Sequence, residues 1–174
     1  MHATLPLLLH DNFPAIKRTT LETLQVNLGY KCNHSCLHCH VNAGPGRTEM
    51  MDRATVEALL RFIDSSTVRT LDLTGGAPEL HPLFRSIVRA ACNRGMEVID
   101  RCNLTVLLEP GQEDTAAFLA TNNLKVVASL PCYLQENVDR QRGDGTFESS
   151  LKALRQLNHL GYGKPESGLI LDLV

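Results

Sequence analysis

The stretch Cys32-Asn33-His34-Ser35-Cys36-Leu37-His38-Cys39 carries most of what this chain indicates about its fold and chemistry. Its three thiols follow the spacing CxxxCxxC, directly after residues whose alternation of apolar and polar side chains predicts a strand. Thiolates are soft ligands that suit iron–sulfur clusters, and gaps of two or three residues let them turn towards one metal centre. The next cysteine, Cys92, falls on a predicted helix. A cluster held here would keep one iron open, and an open position binds a small molecule.

Length and composition are those of an ordinary α/β domain. The chain has 174 residues, of which 43% are hydrophobic and 21% charged, with a net charge of −2. This balance predicts one globular domain and no basic face for nucleic acid. The apolar residues 5–9 are too few for a membrane span and lack the basic flank of a secretory signal. We therefore expect a cytoplasmic protein without a membrane partner, whose six cysteines bind metal, react or are buried rather than forming disulfides.

The hydrophobic pattern alternates between strands and helices along the chain. Strands are predicted at residues 21–28, 68–73, 96–99, 124–130 and 169–174, and helices at 83–93, 113–120, 147–160 and after the N-cap Asp52. Regular alternation of this kind predicts a parallel sheet, wound or curled into a barrel. We assign residues 1–20 to an N-terminal extension and 21–174 to the core. Because an uncovered apolar strand ends the sequence, we expect either a fragment or a chain that a partner completes.

The cysteine loop resembles the signature of the radical S-adenosylmethionine (SAM) superfamily. That resemblance implies a parallel (β/α) partial barrel, usually of six βα units, so that further units would follow Val174. It also implies a 4Fe–4S cluster on Cys32, Cys36 and Cys39, whose open iron chelates the amino and carboxylate groups of SAM. His38 stands where the superfamily usually has an aromatic residue near the adenine.

Residues after the second strand extend this resemblance. In parallel βα folds, ligands bind at the carboxyl ends of the strands. Gly75 and Gly76 would let the backbone approach a ligand closely, and the alternative is a tight turn before a helix. The pair matches the superfamily segment GGE, which contacts the SAM amino group. Here Ala77 occupies the expected glutamate position and Glu79 lies two places later, so Glu79 is the candidate carboxylate.

Two residues after the fourth strand also match. In related enzymes a serine at the end of this strand and an arginine some dozen residues later hold the SAM carboxylate and ribose, and Ser129 and Arg142 occupy those places. The planar fork of arginine suits a carboxylate because it donates two parallel hydrogen bonds. The alternative for Arg142 is a surface ion pair with Asp139 or Asp144.

A narrower resemblance covers the chain from about residue 24 onwards. The arsenosugar-biosynthesis radical SAM protein family is similar in the strings LQVNLGYKCNHSCLHCHVNAGPGRTEMM, LDLTGGAPEL, VIDRCNLTVL, ASLPCY, NVDRQRGDGTF and LNHLGYG. That family is implied to transfer a 5'-deoxyadenosyl group to dimethylarsenic(III), with a reductant such as flavodoxin or ferredoxin, and to carry a further cysteine-rich C-terminal region. Arsenic(III) is thiophilic, so Cys102 and Cys132, both after predicted strands, are candidate catalytic residues or else small pocket residues. Cys92 is expected to be a packing residue.

Three other interpretations stay open. His34, His38 and His40 interleave the thiols, and such Cys/His clusters also form structural zinc sites. The chain could then be a catalytically incomplete cluster-binding or zinc-binding module that acts through a partner. A different radical SAM reaction, such as methylthiolation or peptide modification, is also compatible with the cysteine spacing.

Overall fold

A computed structural model of the chain describes Lys17 and residues 19–174. Its five strands form one parallel sheet in the order β1-β2-β3-β4-β5. Their bounds are β1 Thr23–Asn27, β2 Thr70–Thr74, β3 Glu97–Asp100, β4 Lys125–Ala128 and β5 Leu171–Leu173. The sheet confirms the predicted α/β class with parallel strands. Nearly all of the predicted N-terminal extension lies outside the described residues.

Helices cross over between successive strands. They are α1 Arg53–Ser65, α2 Phe84–Asn93, α3 Thr115–Thr121, α4 Gln135–Arg142 and α5 Thr146–His159, with short 3-10 segments at Pro78–Leu80 and Leu104–Leu108. The predicted cap of the first helix is present, since the Asp52 side chain accepts a 2.8 Å hydrogen bond from the Thr55 N–H.

Helix α4 has no counterpart in the sequence prediction. Its sequence, QENVDRQR, contains one apolar residue, Val138, which is fully buried. Because a single apolar position produces no 3.6-residue stripe, the segment had no helical periodicity to detect. This short polar helix matters because it ends at Arg142.

The hydrophobic core lies between the sheet and its helices. Leu71, Leu73, Val98 and Val126 are fully or almost fully buried, as strands covered on both faces require. Between the two leucines Asp72 is also buried, where it receives a two-pronged ion pair from Arg101, with Nε–Oδ1 and Nη2–Oδ2 distances of 2.9 and 2.8 Å. The second face of the sheet is therefore partly polar near its carboxyl end.

The fifth strand forms one edge of the described sheet. β5 pairs with β4 through Leu171, Asp172 and Leu173, and no further strand follows it in the described part of the chain. Leu173 and Val174 are 52% and 60% exposed. Between residues 19 and 174, no helix is long and apolar enough to cross a membrane.

Candidate cofactor site at the carboxyl ends of the strands

The cysteine loop leaves β1 and is held in place by backbone hydrogen bonds. The Cys32 N–H donates to the carbonyl of Gly44 at 3.2 Å, and the Gly44 N–H donates to the carbonyl of Tyr30 at 3.0 Å. On its far side the Leu37 N–H donates to the carbonyl of Gln141, in α4, at 2.9 Å. The loop therefore rests on its own base and on a helix that lies much later in the chain.

All three cysteines of the loop line one cavity of about 250 Å³. Cys32 is buried, whereas Cys36 and Cys39 are half-buried. The Cys39 Sγ accepts a 3.2 Å hydrogen bond from the Ala43 N–H, and burial raises the pKa of the Cys32 thiol. Three soft thiolates that face one cavity are a donor set that fits an iron–sulfur cluster with one open iron.

The spacing of these thiols differs from that of a single-ion site. Four ligands at ~2.3 Å from one tetrahedral zinc ion lie about 3.8 Å apart. In residues 17 and 19–174 one group of three metal-ligating atoms lies within 4.8 Å of one another, and it is not formed by the loop cysteines. A cluster, in which each thiolate binds its own iron atom, does not require the thiols to lie that close together.

The glycine pair after β2 lines the same cavity and packs against the cysteine loop. Gly75 has a φ of +142°, and a Cβ there would lie 2.6 Å from the carbonyl oxygen of Gly29. A Cβ on Gly76 would collide with the carbonyl oxygen of Lys31. Because neither residue has a side chain, this turn can pack against the start of the cysteine loop. Both glycines also line the cavity.

Arg142 and Ser129 lie together at the cavity wall. Arg142 is 5% exposed, and its guanidinium donates to the backbone carbonyl of Ser129 through Nη1. Its Nη2 donates to the side-chain oxygen of Asn103 at 2.7 Å. The guanidinium of Arg142 is therefore buried at the cavity wall, and the alternative of a surface ion pair with Asp139 or Asp144 is wrong.

Three histidines, His34, His38 and His40, also line the cavity. The Nε2 atom of His34 is buried without a hydrogen-bond partner, and burial together with the charge of Arg142 lowers the pKa of this imidazole. A ligand in the cavity would find His34 as an unsatisfied polar group.

Glu79 does not line the cavity, contrary to the expected contact with the SAM amino group. It is 5% exposed and belongs to a buried group with Asp100 and Cys102, whose ligating atoms lie within 4.8 Å of one another. Burial raises the pKa of Glu79 to about 7, and burial followed by the charge of Glu79 raises the pKa of Asp100 well above its usual range. The 3-10 turn Pro78–Leu80 carries Glu79 inward, which the one-dimensional spacing could not show.

Cys102 also differs from the expectation that it faces the cavity. It is fully buried in the main hydrophobic core, and burial, together with Glu79 and Asp100, raises the pKa of its thiol well above the usual range. Although Cys102 follows β3, the residue that turns into the cavity is its neighbour Asn103. Cys102 is therefore a core residue rather than an accessible catalytic thiol.

The remaining two cysteines lie outside the cavity lining. Cys132 is half-buried in the loop after β4, where its Sγ accepts hydrogen bonds from Asn137 and the Leu134 N–H, both at 3.4 Å. These bonds, that of Asn137 first, lower the pKa of the Cys132 thiol. Cys92, on α2, packs against the core, and burial raises the pKa of its thiol. The expected packing role of Cys92 agrees with this placement.

Comparisons with known proteins identify the family. The sequence model of the Radical SAM superfamily matches residues 26–171. The subtilosin biosynthesis protein AlbA of Bacillus subtilis (strain 168) is 26% identical over 157 residues, covering 87% of this chain and 32% of AlbA. The mycofactocin maturase MftC of Mycobacterium tuberculosis (strain H37Rv) is 25% identical over 144 residues, covering 83% of this chain and 36% of MftC.

Solved structures share the fold. Streptococcus suis SuiB bound to precursor peptide SuiA has a TM-score of 0.66 at 17% identity, covering 82% of this chain and 31% of SuiB. SuiB has also been solved with S-adenosylmethionine bound, and there the TM-score is 0.64. The chain belongs to the radical SAM superfamily of enzymes, whose cofactors are a 4Fe–4S cluster and SAM. It spans about a third of the length of the curated relatives described above.

Several cavity residues were not among the candidate site residues predicted from the sequence. Among them, Arg101 and Asn103 belong to the polar run that follows β3, and His34 entered only as an alternative zinc ligand. The available signal was their position directly after a strand, or within the cysteine loop. What distinguishes Asn103 from its buried neighbour Cys102 is the direction of the side chain, and that depends on tertiary packing.

Proposed function

We propose that Cys32, Cys36 and Cys39 hold the 4Fe–4S cluster, that SAM binds in the adjoining cavity, and that the protein generates a 5'-deoxyadenosyl radical. The observation that carries this proposal is the convergence of the three thiols, the glycine turn and the buried Arg142 on one cavity. When bound and reduced, the cluster supplies one electron for homolytic cleavage of SAM to methionine and the 5'-deoxyadenosyl radical.

The chain's own residues position SAM and shield the reaction. Gly75 and Gly76 offer backbone carbonyls to its ammonium group, and Arg142 offers a buried positive charge for its carboxylate. His38 stands beside the place proposed for the adenine, and Ser129 completes the wall next to Arg142. Val127 and Ala43 contribute apolar surface, which limits the access of water to a reactive radical.

For the acceptor we propose dimethylarsenic(III) in its hydroxide form. The 5' carbon of the radical forms a bond to arsenic through the arsenic lone pair, and the arsenic-centred radical then gives one electron to an oxidised flavodoxin or ferredoxin and its hydroxyl proton to water, which yields an arsenic(V) product. The support is that three strings that resemble the arsenosugar-biosynthesis family, LDLTGGAPEL, VIDRCNLTVL and ASLPCY, contribute residues to the cavity wall. Of the two thiols considered for arsenic, Cys102 is buried in the core, whereas Cys132 lies half-buried outside the cavity lining, where its lowered pKa favours the thiolate that arsenic(III) binds. A flavodoxin or ferredoxin would serve as reductant.

A second candidate acceptor is a precursor peptide. The observation that favours it is the set of relatives, which includes a bacteriocin biosynthesis protein, a mycofactocin maturase and a protein solved with a precursor peptide. The six free thiols support a reducing compartment such as the cytoplasm for either reaction.

Product analysis after anaerobic reconstitution tests both the cleavage of SAM and the identity of the acceptor. A protein with a cluster is brown and, with dithionite and SAM, should release methionine and 5'-deoxyadenosine. Addition of dimethylarsenic(III) should divert the nucleoside into an arsenic adduct detectable by mass spectrometry. A colourless protein that retains zinc would contradict the cluster, whereas SAM cleavage with unchanged products in the presence of arsenic would contradict only the acceptor.

A further inference from the structure

Asn103 joins the arginine of the cavity to one of the three loop cysteines. Its side-chain oxygen accepts a 2.7 Å hydrogen bond from Arg142 Nη2, and its Nδ2 donates to Cys32 Sγ at 3.3 Å. The amide orientation follows from chemistry, because a guanidinium only donates and a metal-bound thiolate only accepts. A buried amide thus spans the distance between a positive charge and a cluster ligand.

The position of Asn103 is determined from several sides. It is 4% exposed, its backbone N–H donates to Glu79 Oε1 at 3.1 Å, and its Nδ2 also donates to Asn33 Oδ1 at 2.6 Å. Asn33 is held in turn by Thr105 and Glu109, at 3.0 and 2.8 Å. Such a connected and buried network leaves the amide little freedom to turn away from the thiol.

Cys32 differs from the other two cysteines in this contact. Cys39 accepts a backbone N–H, whereas Cys32 is the one loop cysteine in residues 19–174 with an amide side chain donating to it from another part of the chain. Hydrogen bonds to cluster sulfurs stabilise the more negative, reduced state and so raise the reduction potential. Arg142 strengthens the donor, since a cation bound to the amide oxygen polarises the N–H groups.

We propose that Asn103 is a positioning residue that transmits the charge of Arg142 to Cys32 and so raises the reduction potential of the cluster. The inference rests on the proposed cluster site. Its consequence is that the residue which binds the SAM carboxylate also influences the ease with which the cluster accepts an electron. Occupation of the cavity and reduction of the cluster are then coupled through one amide.

The test is a redox titration of the reconstituted protein, with the reduced cluster followed by electron paramagnetic resonance. Asn103→Leu removes the donor without adding charge, and Asn103→Asp removes it while keeping a partner for Arg142. At the parent's midpoint we expect both variants to show at least a tenfold lower ratio of reduced to oxidised cluster, which corresponds to about 59 mV for one electron. Asn122→Asp, at a half-buried asparagine that donates to the Phe118 carbonyl, is the matched control and should keep the parent's potential.

A double-mutant cycle distinguishes an effect of Arg142 on the reduction potential that passes through Asn103 from a direct effect of its charge. Arg142→Gln should lower the potential in the parent and have a smaller effect in the Asn103→Leu background. Equal shifts in the two backgrounds, or an unchanged potential in both Asn103 variants with the cluster intact, would overturn the inference and leave the proposed function standing. A parent protein without iron and sulfide would instead overturn the proposed function itself.

Discussion

The backbone N–H of Ala77 donates a 2.9 Å hydrogen bond to the carbonyl oxygen of Lys31, the residue before the first cysteine of the loop. A second bond of 2.9 Å runs from the Gly76 N–H to the carbonyl of Gly29. The turn after β2 is therefore bonded to the base of the cysteine loop, and the two segments form one backbone scaffold for the cavity.

Gly76→Ala should disturb this scaffold. The new Cβ would collide with the Lys31 carbonyl and lie 3.0 Å from the Ala43 Cβ, so we expect a loss of about 1–3 kcal/mol in the free energy of unfolding and less bound iron and sulfide. Urea unfolding and iron analysis provide the measurements. Gly46→Ala is the matched control, because a Cβ at Gly46 meets nothing within 4 Å. Equal stability and iron content in the two variants would contradict the packing argument.

Replacement of any one loop cysteine should abolish the cluster. Each thiolate binds its own iron, so Cys36→Ala is expected to lose the visible absorbance and the bound iron and sulfide after anaerobic reconstitution. Cys92→Ala, at the core-packed cysteine of α2, should retain both. Full iron and sulfide content in Cys36→Ala would end the cluster assignment.

Removal of the buried guanidinium should weaken SAM binding with the cluster intact. A hydrogen bond to a charged group contributes about 1.5–3 kcal/mol, so Arg142→Ala should raise the Kd for SAM about tenfold to a hundredfold in calorimetry. Arg140→Ala, in the same helix α4 but exposed, is expected to bind SAM as the parent does. If both variants bind with the parent's affinity, Arg142 does not belong to the SAM site.

The three cysteines outside the loop should differ in their rates of alkylation. Cys132 has a lowered pKa, Cys92 is half-buried with a raised pKa, and Cys102 is fully buried. Because reactivity follows exposure and thiolate character, iodoacetamide should label Cys132 first and Cys102 last. Mass-spectrometric mapping of the cluster-loaded, anaerobic protein gives the order. Dimethylarsenic(III) should slow the labelling of Cys132 alone, and early labelling of Cys102 would contradict its placement in the core.

The buried carboxylates should make stability depend on pH. The pKa of Glu79 rises from 4.5 to about 7 through burial, so the folded protein binds this proton more tightly than the unfolded chain. The free energy of unfolding should therefore fall as the pH rises through this window, and Glu79→Gln should reduce the slope. Thermal unfolding between pH 5 and 8 measures this dependence of stability on pH.

Glu49→Gln is the control for this prediction. The hydrogen bonds from Arg47 lower the pKa of Glu49 from 4.5 to about 2, so its contribution to pH dependence lies below the measured range. A slope that is the same in the parent and in both variants would show that Glu79 titrates normally in the folded protein.

The sequence predicted the elements that carry their own periodic pattern. Four of the five observed helices and all five strands followed from apolar spacing and caps, since packing against a core imposes that spacing. Helix α4 was missed because Val138 is its one apolar residue. The same holds for the site. Local spacing was enough to predict the three loop cysteines. The burial of Glu79 and Cys102 and the contact of Asn103 with Cys32 depend instead on packing between segments that are distant in sequence.

The bond between Leu37 and Gln141 has a consequence for how the protein is made. The cysteine loop emerges early in synthesis, but the helix that supports it, with Arg142 at its end, emerges much later. Until then the three thiols sit on a loop that lacks one of its anchors. We therefore expect cluster insertion to follow release of residue 142 from the ribosome, so that nascent chains arrested before α4 take up little iron.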